Sequence, residues 1–321
     1  MPGRTSRRRA ARRRAAALAV AVTAALAVTP AAVSAQSSFP SSSGGCAASD
    51  VGTCVESPIE VAGTARDAVW YLPDGPASAL MLLEHGFSRS CANVGGTARA
   101  IAAQGLMVVC LDEDMTAGNP SLARDFADAL AERSVVPPNG LPLPGRYVVG
   151  GHSAGGHFAA LVGAGLVERG YPDLAGAVLF DPVAAEGFSA AVRSVSAGGA
   201  RPVLSIAASP SVVNLFDNSF GALAALGADF VGVQLLGGSC HVDVEGEDTD
   251  LIGILGAACA PAPANTARLR EFGGVWARDL ATGTRTATHY CTGTIEPPEC
   301  GASVGALLGG VRPAAALIPV R

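Results

Sequence analysis

With 321 residues, 49% of them hydrophobic and only 15% charged, the chain can bury a large core, which excludes an intrinsically disordered protein. All 22 basic residues are arginine, set against 27 acids. Seven of those arginines precede Gln36, so the rest of the chain carries 15 arginines against 27 acids, a net charge of −12 that repels phosphate backbones and argues against nucleic acid as a partner.

The N-terminus reads as a secretory signal. Arg4, Arg7, Arg8, Arg9, Arg12, Arg13 and Arg14 form a positive head, and Ala15 to Val28 is an apolar stretch too short to span a bilayer comfortably. Val33-Ser34-Ala35 supplies small residues for cleavage before Gln36. Residues 1–35 are therefore expected to be removed, leaving an extracellular or periplasmic protein with no stable membrane anchor. All eight cysteines fall after this point, as disulfides in an oxidising compartment would require. Nearness in sequence points to Cys46–Cys54 and Cys291–Cys300; the other pairings are open. No C-x-x-C pair occurs, so no metal site is expected.

Residues 36–65 read as a flexible segment stapled by a disulfide. From there, apolar runs alternate with helical patterns. Strands are predicted at 79–83, 106–111, 147–149, 177–180, 203–207 and 230–236, and helices at 97–103, 122–133, 154–168, 218–226, 248–258 and 267–280. Apolar runs without alternation are those of strands buried on both faces. The fold class is therefore α/β: a mostly parallel twisted sheet with helices on both faces, spanning residues 66–281. Only about twenty residues separate the strands at 177–180 and 203–207, which leaves little or no room for a lid. The tail from 282 to 321 shows no clear period and reads as a C-terminal extension.

Gly151-His152-Ser153-Ala154-Gly155 follows a strand and opens a helix, the context in which G-x-S-x-G forms a sharp turn that exposes a nucleophilic serine. The backbone N–H of Ala154 then faces a developing oxyanion, and Phe87, in His85-Gly86-Phe87 after an earlier strand, is the candidate second donor. His85 would support that loop. His152 and His157 are tethered too closely to Ser153 to act as its base, and His289 lies in the unpatterned tail. His241, in a glycine-rich loop after a strand, is the candidate base. The acid is Asp181, in Phe180-Asp181-Pro182-Val183, or Asp217; Asp243 is too close to His241 in the chain.

The stretch from Val69 to Ala258 resembles the α/β-hydrolases. Gly151-His152-Ser153-Ala154-Gly155-Gly156 together with Phe180-Asp181-Pro182-Val183 is similar to the chlorophyllase-like branch, and the serine turn is shared with secreted bacterial polyester and lipid esterases. The resemblance implies Ser153, Asp181 and His241 as the catalytic triad. The expected activity is cofactor-free hydrolysis of a carboxylic ester, whether small molecule, lipid or polyester, through an acyl-enzyme, with short or medium acyl groups fitting an open site. An acyltransferase with the same triad, or a catalytically silent binding protein on this scaffold, are the alternatives. Oligomeric state is not legible in the sequence.

Overall fold

The computed structural model describes residues 45–46, 53–292 and 298–318; the expected signal peptide and its cleavage site lie outside the described residues. The expected strands form: β5 (Leu80–Glu84), β6 (Met107–Leu111), β7 (Tyr147–His152), β8 (Leu174–Phe180), β9 (Val203–Ala207) and β10 (Gly232–Leu235). They lie side by side in parallel in the order β6-β5-β7-β8-β9-β10. Their apolar runs serve both faces. Leu80 and Leu82 of β5 join one core with Phe126, Tyr147 and Phe158, while Met81 and Leu83 join the other with Ile101, Phe272 and Trp276.

Helices cover both faces, as expected, with α4 added to those predicted from the sequence: α1 (Gly95–Ala102), α2 (Pro120–Ala131), α3 (Ala154–Glu168), α4 (Phe188–Ser196), α5 (Phe220–Ala224), α6 (Leu251–Ala257) and α7 (Pro263–Thr282). Pro120 and Pro263 open their helices where a missing N–H costs nothing. The chain between β8 and β9 holds the single nine-residue helix α4, so no lid domain is inserted there.

Two parts of the chain differ from the sequence reading. Within the segment expected to be flexible, β1 (Cys54–Glu56) pairs antiparallel with β4 (Ala68–Tyr71), and β2 (Ile59–Val61) with β3 (Thr64–Arg66). Through β4 this segment extends the main sheet beyond β6. In the tail, β11 (Cys291–Thr292) and β12 (Glu299–Cys300) pair with each other. The helix α8 (Ala302–Leu308) follows, and β13 (Ala315–Leu317) adds antiparallel to β10 at the far edge of the sheet. Strands of two to four residues are too short to show a period, and their order comes from the neighbours they pair with.

Four disulfides join Cys46–Cys54, Cys91–Cys110, Cys240–Cys259 and Cys291–Cys300, the first and last being those expected from proximity. Such a set is characteristic of proteins that fold in an oxidising compartment. Among the described residues no helix is long and apolar enough to cross a membrane.

At the end of β5, Glu84 is fully buried and accepts the Leu111 N–H at 2.9 Å. Burial pushes its carboxyl well above the usual carboxylate range. The raised value belongs to the folded state. Stability is therefore complete below the unfolded-state value of about 4.5 and is lost as pH rises from there to the raised folded-state value. Glu84→Gln keeps the acceptor oxygen and cannot ionise. Thermal melts are expected to coincide with wild type at about pH 4 and to lie above it at pH 9.

Candidate active site

Ser153 stands between β7 and α3 with φ 55° and ψ −123°, a strained conformation for a non-glycine residue. The flanking glycines make the turn possible. A Cβ on Gly151 would overlap the Gly155 carbonyl, and one on Gly155 would overlap the carbonyl of His85. The turn is tied down by the Ser153 N–H donating to Phe180 O at 3.1 Å, and by Gly156 and Val183 N–H groups donating to Ser153 O at 3.0 and 3.2 Å. These bonds hold the serine at the carboxyl edge of the parallel strands.

His241 opens a short turn, His241–Val244, just beyond β10. Its Nδ1 lies 2.6 Å from Asp181 Oδ2, with both side chains buried. Asp181 follows β8 directly and has φ 44°. The structure thus pairs His241 with Asp181. Asp217, the other candidate acid, stands behind Asn214, whose amide Nδ2 reaches Asp181 at 3.2 Å and Asp217 at 3.0 Å. Asp243 accepts the Cys240 and Ala262 N–H groups, a structural task. His289 is bound to Glu271 at 3.0 Å, in the tail.

Ser153 and His241 line one apolar cleft of about 250 Å³ with Phe87, Val213, Ile252, Gly256 and Ala257. No hydrogen bond joins the Ser153 hydroxyl to His241 in this structure; such contacts commonly tighten only with substrate bound. A second cleft of about 290 Å³ meets the first at Ser153, Phe87 and Val213, and runs past Ala154, His157, Val183 and Leu215. A Cβ on Gly86 would stand 3.2 Å from Ser153 Cβ, so the His85–Phe87 loop is seated against the serine. His85 Nδ1 lies 2.9 Å from Gly86 O, within that loop. Among the described residues, no protein acceptor takes the N–H of Phe87 or of Ala154. A groove of about 760 Å³ between β2 and α2 brings together Glu60, Asp125, Asp128 and Glu132 with Ser134, and no histidine lines it.

Three supporting interactions were not legible in the sequence. His152 Nε2 donates to His241 O at 2.8 Å, fixing the loop that carries the imidazole; burial and the neighbouring His241 push its own pKa well down. Arg89, two residues after Phe87, makes a two-pronged ion pair with the buried Glu245 at 2.8 and 2.6 Å, and a third contact to Asp250 at 2.8 Å. This pair joins the Phe87 loop to the His241 loop across the cleft floor. The Cys240–Cys259 disulfide closes the segment that begins at His241. His85, Cys91 and Asp112 are also clustered, but the sulfur is consumed in the Cys91–Cys110 disulfide and offers no thiolate to a metal.

No family model matches the chain, and no curated relative does. Solved structures do. A variant of the esterase rPPE is 16% identical, with 71% of this chain and 83% of that one covered at a TM-score of 0.50. An esterase from Pyrobaculum calidifontis is 19% identical (72% and 85% covered, TM-score 0.49), and one from Pseudomonas putida ECU1011 is 17% identical (71% and 83%, TM-score 0.49). The chain has the α/β-hydrolase fold. Open parallel α/β sheets bind ligands at the carboxyl ends of their strands, and Ser153, Asp181 and His241 follow the carboxyl ends of β7, β8 and β10.

Proposed function

We propose that the protein is a secreted serine esterase in which Ser153 is the nucleophile, His241 the base and Asp181 the acid that holds it. The observation that supports this most is the 2.6 Å contact between His241 and Asp181 at the cleft that Ser153 lines. The Nδ1–H of His241 donates to Asp181, which leaves Nε2 free to take the serine proton as Oγ attacks the ester carbonyl. The N–H groups of Phe87 and Ala154 hold the oxyanion, each such donor lowering the barrier by about 3–4 kcal/mol. The imidazolium then protonates the departing alcohol, and water, activated by the same histidine, releases the acid. The chain from Gln36 is the exported enzyme, its catalytic body stapled by disulfides.

The two clefts suit the two halves of the ester. The leaving oxygen must take its proton from His241, so the alcohol occupies the cleft of Ile252, Gly256 and Ala257, and the acyl group the cleft of Val183 and Leu215. The walls are mainly apolar, and Arg89 is already paired with Glu245, so the substrate is a neutral ester. A Cβ on Gly256 would meet no atom within 4 Å. Gly256→Val is therefore expected to fold and to lower kcat/KM for esters of bulky alcohols about tenfold, while methyl esters of the same acid are unchanged; a loss of about 1.4 kcal/mol of binding corresponds to that factor. Hydrolysis of p-nitrophenyl esters from acetate to palmitate by the oxidised protein tests the activity itself. Turnover with a short- or medium-chain optimum is expected; a folded protein that cleaves none of them refutes the esterase reading.

A further inference from the structure

Behind the His241–Asp181 pair lies an arrangement that simple orientation of one carboxylate does not require. Asn214 is fully buried, and its Nδ2 faces four acceptors: Asp181 Oδ1 at 3.3 Å, Asp181 Oδ2 at 3.2 Å, Ser209 O at 3.0 Å and Asp217 Oδ1 at 3.0 Å. Two carboxylates thus share the hydrogens of one amide. The other oxygen of Asp217 accepts a hydrogen bond from Gln234 Nε2 of β10. Both oxygens of Asp217 therefore face donors, and an ionised carboxylate is the group that can accept at both. A proton on either oxygen conflicts with Asn214 or with Gln234.

The backbone is held to this arrangement. Leu215, Phe216 and Asp217 have φ values of 50°, 54° and 58°, three consecutive non-glycine residues in the left-handed region. Such conformations persist where the surroundings over-determine them. Here the Ser211 N–H donates to Asn214 Oδ1 at 2.8 Å and the Asp217 N–H to Asn214 O at 3.1 Å. The charged group acting on Asp217 is Asp181, from the turn after β8, which is itself bound to His241; Gln234 and Asn214 are neutral, and no cation bonds Asp217 among the described residues.

We propose that Asp217 is a second carboxylate of the catalytic constellation, a positioning residue that holds the Asn214 amide against Asp181 and adds negative charge behind the imidazolium formed in the transition state. The proposal rests on the reading of Ser153, His241 and Asp181 given above. Partial burial and the charge of Asp181 raise the Asp217 carboxyl to about 6, so it changes charge within the working range of a histidine base. Because the folded-state value is the raised one, ionised Asp217 lowers stability as pH rises through about 6. A group retained at that cost in stability is placed for function.

The test is the pH dependence of kcat/KM for p-nitrophenyl butyrate between pH 4.5 and 9, for wild type, Asp217→Asn, Asn214→Ala, the double variant and Ser153→Ala. In wild type the acid limb is expected to hold two steps, a fall of about 3–10-fold as Asp217 is protonated near pH 6 and the full loss as His241 takes a proton. In Asp217→Asn it holds one, on a plateau about 3–10-fold lower, with KM unchanged, as expected for one charge acting on the imidazolium at medium range. Asp217→Asn adds little to Asn214→Ala if the two act as a unit. A wild-type limb of one step, or an Asp217→Asn profile identical to wild type, overturns the proposal, and the wild-type limb decides even if the variant does not fold. Turnover retained by Ser153→Ala would instead overturn the underlying triad reading.

Discussion

Replacing Ser153 by alanine is expected to lower kcat for p-nitrophenyl butyrate by about 10⁶-fold and to leave the protein folded. The size follows from the unit in which the residue acts. Without Oγ there is no acyl-enzyme, and His241 and Asp181 have nothing to activate; what remains is the oxyanion site and binding, about 10³–10⁴-fold over water. Folding is expected to survive because the turn is held through backbone groups, Ser153 N–H to Phe180 O and Gly156 N–H to Ser153 O, which alanine keeps. Melting temperature and activity measured on the same preparation check both halves of the expectation. A kcat within about tenfold of wild type would mean that the ester is attacked by something other than Ser153.

The second large effect is expected from Asp181→Asn. The side chain keeps its volume, but the amide can present its NH₂ to His241, which favours the tautomer with the proton on Nε2 and leaves no base toward Ser153. It also removes the negative charge that stabilises the imidazolium. A fall in kcat of about 10⁴-fold with KM little changed is expected, read by steady-state kinetics at pH 8. A loss confined to KM would place Asp181 in substrate binding instead.

The parallel sheet was legible because β5 to β9 are short apolar runs, and the turn at Ser153 because glycine is forced at Gly151 and Gly155 by overlaps with the backbone. The edge strands β1 and β13 were not, since three residues carry no period and their order depends on β4 and β10. Cys91–Cys110 and Cys240–Cys259 each span 19 positions and required the fold, whereas the pairs eight and nine positions apart could be guessed. For the acid, sequence order left Asp181 and Asp217 both open. The structure sets Asp181 against the imidazole and Asp217 one amide further back, a distinction made by Asn214, which has no sequence signal of its own. The short tether of His152 to Ser153 rules it out as the base. The tether has another use: it puts Nε2 on the carbonyl of His241, 89 positions away.

The central claim is that Ser153 becomes covalently acylated. Its most direct test is to treat the oxidised protein with a fluorophosphonate, digest it, and map the modified residue by mass spectrometry. A single stoichiometric adduct on Ser153, formed by wild type and lost in His241→Ala, is the expected result. No adduct on a folded protein that hydrolyses esters, or an adduct at another residue, would contradict the assignment.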